Sequence, residues 1–145
     1  MNDDLEFLKK AYLVAEKSCC QKKKVGCVIV VNNKIVSSGF NYIKDHHFNC
    51  AEGECRCGFD NKCLMVIHAE QNAIVEAIRN NVDLSKATMF LTLSPCLPCA
   101  RLIYGFGIKK VVFAEKFSDY KDLEQDPGLT FLSKLNVETI QVKLL

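Results

Sequence analysis

Two short fragments hold residue types that bind metal and move protons: His68-Ala69-Glu70, and Pro95-Cys96-Leu97-Pro98-Cys99. The first opens a helical pattern, and the second leaves a strand for the next helix. Cys96 and Cys99 lie three residues apart, so in the first turn of a helix their thiols share one face. The partial positive charge at a helix N-terminus lowers a thiol pKa and favours the thiolate that a metal needs. One imidazole and two thiolates suit tetrahedral zinc with the fourth position left to water, which distinguishes a catalytic site from a structural one. Glu70 follows His68 by two residues and falls beside that ligand, where a carboxylate can take the water's proton and pass it to a leaving group. Singly, C-x-x-C also suits a redox pair or half a zinc knuckle, and His68 a core histidine. Together, in this order and each at a helix start, the fragments predict catalytic zinc.

The elements that must position them follow from periodicity. Leu5, Leu8, Tyr12 and Ala15 predict an amphipathic helix over 3–18. The β-branched run 25–31, the turn Asn32-Asn33 and the run 34–40 predict a hairpin. Residues 41–66 lose periodicity and hold His46, His47, Cys50, Cys55, Cys57 and Cys63, a cysteine-rich insertion that something other than a core must hold. A helix is expected over 68–80, with Ala69, Ala73, Ile74, Ala77 and Ile78 buried. A strand over 87–93, a short helix over 97–106, a strand over 108–114, a helix from 128 to about 135 and a strand over 137–142 complete the order. This β-β-α-β-α-β-α-β series predicts one α/β domain over 1–145, a five-stranded mixed sheet covered by helices on both faces.

The chain has 145 residues, 49% of them apolar and 25% charged, with a formal charge of +2, and reads as an ordinary globular domain. So small a charge disfavours a polynucleotide and favours a small anionic ligand. The opening MNDDLEFLKK has no apolar run for a signal peptide, and no stretch reaches the ~18 apolar residues of a membrane span. A cytoplasmic location is expected, the host cytoplasm if the source is viral. Nine cysteines in that setting bind metal or do chemistry rather than form disulfides.

H-x-E followed by P-C-x-x-C is the signature of zinc nucleobase deaminases. The segments IHAEQNAI (67–74), ATMFLTLSPCLPCARLI (87–103), GIKKVVF (107–113) and SCCQKKKVGCVIV (18–30) resemble the deoxycytidylate deaminase family, particularly its phage branch within the cytidine deaminase superfamily. The resemblance implies the three-layer α/β/α cytidine-deaminase-like fold. It also implies zinc-dependent hydrolysis of dCMP to dUMP and ammonia, feeding thymidylate synthesis, with His68, Cys96 and Cys99 on the metal and Glu70 as proton shuttle.

Further roles come from the resemblance alone. Asn41 and Asn72 are expected to reach the nucleotide, the backbone of Ala69 and Ser94 to read the cytosine edge, and Arg79 to serve effector response and subunit contact. Family members take dCTP as activator and dTTP as inhibitor, Mg2+ would accompany such a triphosphate, and a homo-oligomer, a hexamer as in the family, is implied. The run Asn41-Tyr42-Ile43-Lys44 departs from the glycine and proline that commonly follow this asparagine, in the loop that serves the effectors. Phage relatives carry a structural zinc, and Cys19 and Cys50 occupy two of its ligand positions. Cys55 and Cys57 are expected to complete the set, with His46 or Cys63 as substitutes. Lys24, with Lys22 and Lys23, enters the first strand near the pocket mouth and could meet a phosphate, against the plainer reading of a solvated lysine run.

Other readings keep part of this chemistry. A deaminase of dCTP as well as dCMP, of free cytidine or of tRNA adenosine would use the same metal ligands. A non-catalytic zinc module binding nucleic acid would fill all four metal positions with protein, and has no use for Glu70.

Overall fold

The computed structural model describes residues 2–18, 20, 23–42, 66–116 and 126–144. Helix α1 spans Asn2–Ala15, strand β1 Gly26–Val31, β2 Lys34–Phe40, α2 Ala69–Arg79, β3 Thr88–Leu93, α3 Leu97–Gly105, β4 Lys110–Glu115, α4 Pro127–Lys134 and β5 Glu138–Gln141. Five strands lie in the order β2-β1-β3-β4-β5. β1 runs antiparallel to β2 and β3, while β3, β4 and β5 are mutually parallel, which gives the mixed sheet expected.

Alternation along each strand builds the three layers. Cys27 and Ile29, Met89 and Leu91, and Val111 and Phe113 face one side, where they pack with Ala73 and Ala77 of α2, Ala100 and Ile103 of α3, and Leu129 and Leu132 of α4. Val28, Val30, Phe90, Val112 and Ala114 face the other side, against Leu8 and Ala11 of α1. Among the described residues no helix is long and apolar enough to cross a membrane.

The hairpin turn is the one Asn-Asn encodes. Asn32 and Asn33 sit at φ 51° and 64°, the pair of positive values that a two-residue turn needs to match strand twist. Residue 39 must be glycine for a different reason: a Cβ there would stand 2.4 Å from Ala69 O and 2.5 Å from Ala73 N. The backbone of α2 therefore rests directly on β2.

Three details differ from the periodicity reading. Ile78 is 46% exposed rather than buried, because at 3.6 residues per turn it falls about 140° from the centre of the arc that Ala69, Ala73 and Ala77 define. β4 begins at Lys110, since Ile108 still belongs to the turn leaving α3. A single 3-10 turn, Leu84–Lys86, precedes β3 and is capped by Asp83, which accepts from Ser85 N–H at 3.1 Å.

Candidate metal centre

One edge of the sheet collects the ends that matter. β1 starts at Gly26 opposite the end of β2 at Phe40, and β3 ends at Leu93 opposite Glu115 at the end of β4. Helices α2 and α3 begin at this edge, with His68 as N-cap of the first and Cys96 as N-cap of the second. Both caps have extended backbone, so neither side chain is swept into its own helix. Gln71, which the motif reading passed over, holds the first in place: its Oε1 accepts from His68 N–H at 2.9 Å. Half of a capping box is thus recognisable in the sequence, three residues after the cap. Pro98 in the first turn of α3 suits a position where an N–H has no helical partner.

His68 Nδ1 lies 3.5 Å from Cys96 Sγ and 3.3 Å from Cys99 Sγ. All three ligand atoms fall within 4.8 Å of one another, and among the described residues this is the cluster that could hold a metal. Zinc at its usual distances from nitrogen and sulfur, with tetrahedral angles, requires an N···S separation of about 3.5 Å. The residues therefore fit zinc, with three protein ligands among the described residues.

Electrostatics agree. Cys96 is held down to about 4, first by the hydrogen bond it accepts from the Cys99 thiol, while Cys99 is pushed well up by donating that bond and by burial. A coordinated metal displaces that thiol proton outright. Glu70 is 5% exposed. Burial pushes its carboxyl up to about 7, with the Cys96 thiolate adding to the rise and its own backbone N–H, His68 and the Cys99 thiol opposing it. A group poised near neutrality suits both halves of a proton shuttle. Cys27, wholly buried beneath, is pushed up by burial and then by the charge of Glu70; it packs as a small core residue.

The remaining candidates divide. Asn41 Oδ1 accepts from Val25 N–H at 2.9 Å and Nδ2 donates to Lys23 O at 2.8 Å, tying the entry of β1 to the exit of β2. Asn72 Nδ2 donates to Phe40 O at 2.8 Å and fastens α2 to the same exit. Ser94 is 1% exposed, and its N–H donates to Glu115 O at 2.7 Å. Ala69 is buried at the first position of α2. Lys24 is exposed, whereas Lys23 pairs with Glu115 at 3.2 Å, and that carboxylate also accepts from Tyr12. Arg79 is exposed in the last turn of α2. Cys19, Lys22, His46, Cys50, Cys55, Cys57 and Cys63 lie outside the described residues.

Comparison with known proteins places this geometry. Residues 1–115 match the family model described as the cytidine and deoxycytidylate deaminase zinc-binding region. Deoxycytidylate deaminase of Enterobacteria phage T2 is 34% identical, the match covering 92% of this chain and 94% of that protein. The deoxycytidylate deaminase of Schizosaccharomyces pombe is 36% identical over 79% of this chain, but this chain spans only 38% of its length. In fold, dCMP deaminase from the cyanophage S-TIM5, solved in complex with dCMP and dUMP, aligns with a TM-score of 0.81 at 29% identity over 97% of both chains. Fold and site together define a zinc-binding α/β protein of the deaminase superfamily. This chain belongs to the cytidine and deoxycytidylate deaminase family.

Proposed function

We propose that this chain is one deaminase domain over 1–145 that hydrolyses deoxycytidylate to dUMP and ammonia and so feeds thymidylate synthesis. The observation that carries the reading is a buried carboxyl, Glu70, in hydrogen-bond contact with Cys99 of the cluster that His68, Cys96 and Cys99 form. The phage T2 relative and the S-TIM5 structure support dCMP as substrate. His68 Nδ1, Cys96 Sγ and Cys99 Sγ would hold zinc, which would supply Lewis acidity enough to lower the pKa of a water towards ~7.

Glu70 handles the protons. Its carboxylate takes the two protons of the attacking water in turn, giving one to ring N3 and one to N4. The bond from the water oxygen to C4 forms, the C4–N4 bond breaks, and ammonia leaves. The first N–H groups of a helix have no intrahelical partner, so that of Ala69 can donate to the pyrimidine carbonyl. Ser94 N–H is already committed to Glu115, so the backbone contact of Ser94 runs through its C=O. Asn41 has spent one lone pair and one N–H on the segment entering β1 and keeps one of each for the sugar. Asn72 keeps Oδ1. Lys24 meets the 5′ phosphate.

The same reading gives Cys19, Cys50, Cys55 and Cys57 to a second, structural zinc, and Arg79 to effector response and subunit contact in a hexamer. It includes dCTP as activator, dTTP as inhibitor, Mg2+ with the triphosphate, and a cytoplasmic enzyme with no nucleic-acid or membrane partner. The supports are the phage resemblance and the small net charge. Ammonia release from zinc-loaded protein against dCMP, dCTP, cytidine and CMP tests the substrate. Turnover of dCMP above the rest supports the reading, and turnover of cytidine or dCTP at equal or greater efficiency overturns it.

A further inference from the structure

Helix α4 belongs to none of the motifs above, yet its first turn lies against the segment that carries Cys96. Asp126 is its N-cap and 1% exposed. One carboxylate oxygen accepts from Leu129 N–H at 3.1 Å, an ordinary cap, and the other faces Ser94 Oγ, which donates across a long 3.4 Å. Gly128 makes the closer approach. A Cβ there would stand 2.1 Å from Pro95 O, 3.1 Å from Cys96 C and 3.2 Å from Cys96 O. Its backbone is outside the left-handed region, so glycine is required for space rather than conformation.

The turn is well backed. Leu129 and Leu132 sink into the core with Ala100 and Ile103 of α3, and Phe131 meets Tyr104 of α3 edge-on, ring centres 6.0 Å apart. From the opposite side Ser94 N–H is tied to the end of β4. The segment Ser94-Pro95-Cys96 is thus held between the exit of β4 and the start of α4.

We propose that the Asp126–Gly128 turn is a positioning element of the metal centre, setting where the Ser94–Cys96 segment lies and hence where Cys96 Sγ stands relative to His68 and Cys99. Cys96 O also accepts the first helical bond of α3, from Ala100 N–H at 2.9 Å. Pressure on that peptide therefore moves a ligand and the helix start together. Relieving the Gly128 contact from 2.1 Å to the 3.0 Å below which Cβ contacts are essentially never found takes a shift of about 0.9 Å. Metal–ligand distances tolerate about 0.2 Å. Supporting groups of this kind are typically worth about 10- to 100-fold in metal affinity or activity. The inference rests on the zinc reading above and not on the identity of the nucleotide.

The test compares full-length Gly128→Ala with wild type, and with Gly105→Ala as a control, since a Cβ at Gly105 meets nothing within 4 Å. Zinc affinity is measured by competition with a chromogenic chelator, and thiolate–cobalt absorption is recorded after Co2+ replacement. Cys99→Ala protein is subtracted as the blank for this centre. The expected result is a 10- to 100-fold loss of zinc affinity and a changed cobalt spectrum in Gly128→Ala, with Gly105→Ala unchanged. A merely structural role would lower the melting temperature of apo and zinc-loaded protein alike and leave affinity and spectrum at wild-type values, which would overturn the proposal. If Gly128→Ala does not fold, Asp126→Asn decides, because asparagine keeps the cap on Leu129 but turns an amide towards Ser94. A perturbed cobalt spectrum in that variant supports the proposal, and a wild-type spectrum with wild-type affinity overturns it. Wild-type protein that binds zinc without turning over dCMP would sink the nucleotide reading while leaving this one standing.

Discussion

Replacing Glu70 with glutamine removes an ionisable oxygen and almost nothing of the shape. The side chain is 5% exposed, so bulk water has little access to stand in for the lost base. Each proton transfer handled by a positioned group contributes about 10²–10⁴ in rate, and here both transfers pass through one carboxyl. The expected loss in kcat is therefore towards 10⁴-fold, about 5 kcal/mol of barrier. Because Glu70 stands beside the three ligand atoms and not among them, zinc content and the melting curve should match wild type. Steady-state ammonia release on protein with verified zinc content is the assay. Activity within tenfold of wild type would refute the shuttle. Loss of zinc along with activity would refute it differently, by making Glu70 a ligand.

Other expectations follow from contacts away from the metal. The Tyr12 hydroxyl donates to Glu115, which holds that carboxyl below its usual range and, after burial, helps push the phenol above its own. The carboxyl's contribution is present above its unfolded value of about 4.3 and drains as pH falls through the lower folded value. The phenol's is present below about pH 10 and drains as pH rises. Tyr12→Phe should therefore cost about 0.5–1 kcal/mol in urea melts between roughly pH 5 and 9, and progressively less below pH 4; a pH-independent cost would contradict the pairing. Gly39→Ala drives a Cβ into the backbone of α2 and should destabilise by about 1–3 kcal/mol, so an unchanged denaturation midpoint would mean that α2 does not rest on β2 as described. Elemental analysis should give two zinc ions per chain, one lost in Cys99→Ala; a single ion in wild type would remove the structural site.

Much of this was legible in the sequence because it rests on local rules. Asn32-Asn33 specifies a hairpin turn by its tolerance of positive φ, and H-x-E with P-C-x-x-C names ligands whose helices must begin where they do. Ile78 is apolar yet exposed, because it falls beyond the buried arc that ends at Ile74. Asp126-Pro127-Gly128 reads from sequence as an ordinary helix start. That it lies on the Pro95–Cys96 peptide depends on how α4 crosses the sheet, which no local pattern encodes. Asn41 and Asn72 were legible as important side chains, but their ties to Val25, Lys23 and Phe40 are long-range and became visible only in the fold.

The central claim is that this site adds water to cytosine in deoxycytidylate. Reaction of zinc-loaded protein with dCMP in H2(18)O, followed by mass spectrometry of the product, tests it most directly. The account predicts dUMP carrying one heavy oxygen, one ammonia per dUMP formed, and no product after the zinc is removed. Zinc-loaded protein that leaves dCMP intact, or dUMP formed without incorporation of solvent oxygen, would contradict it.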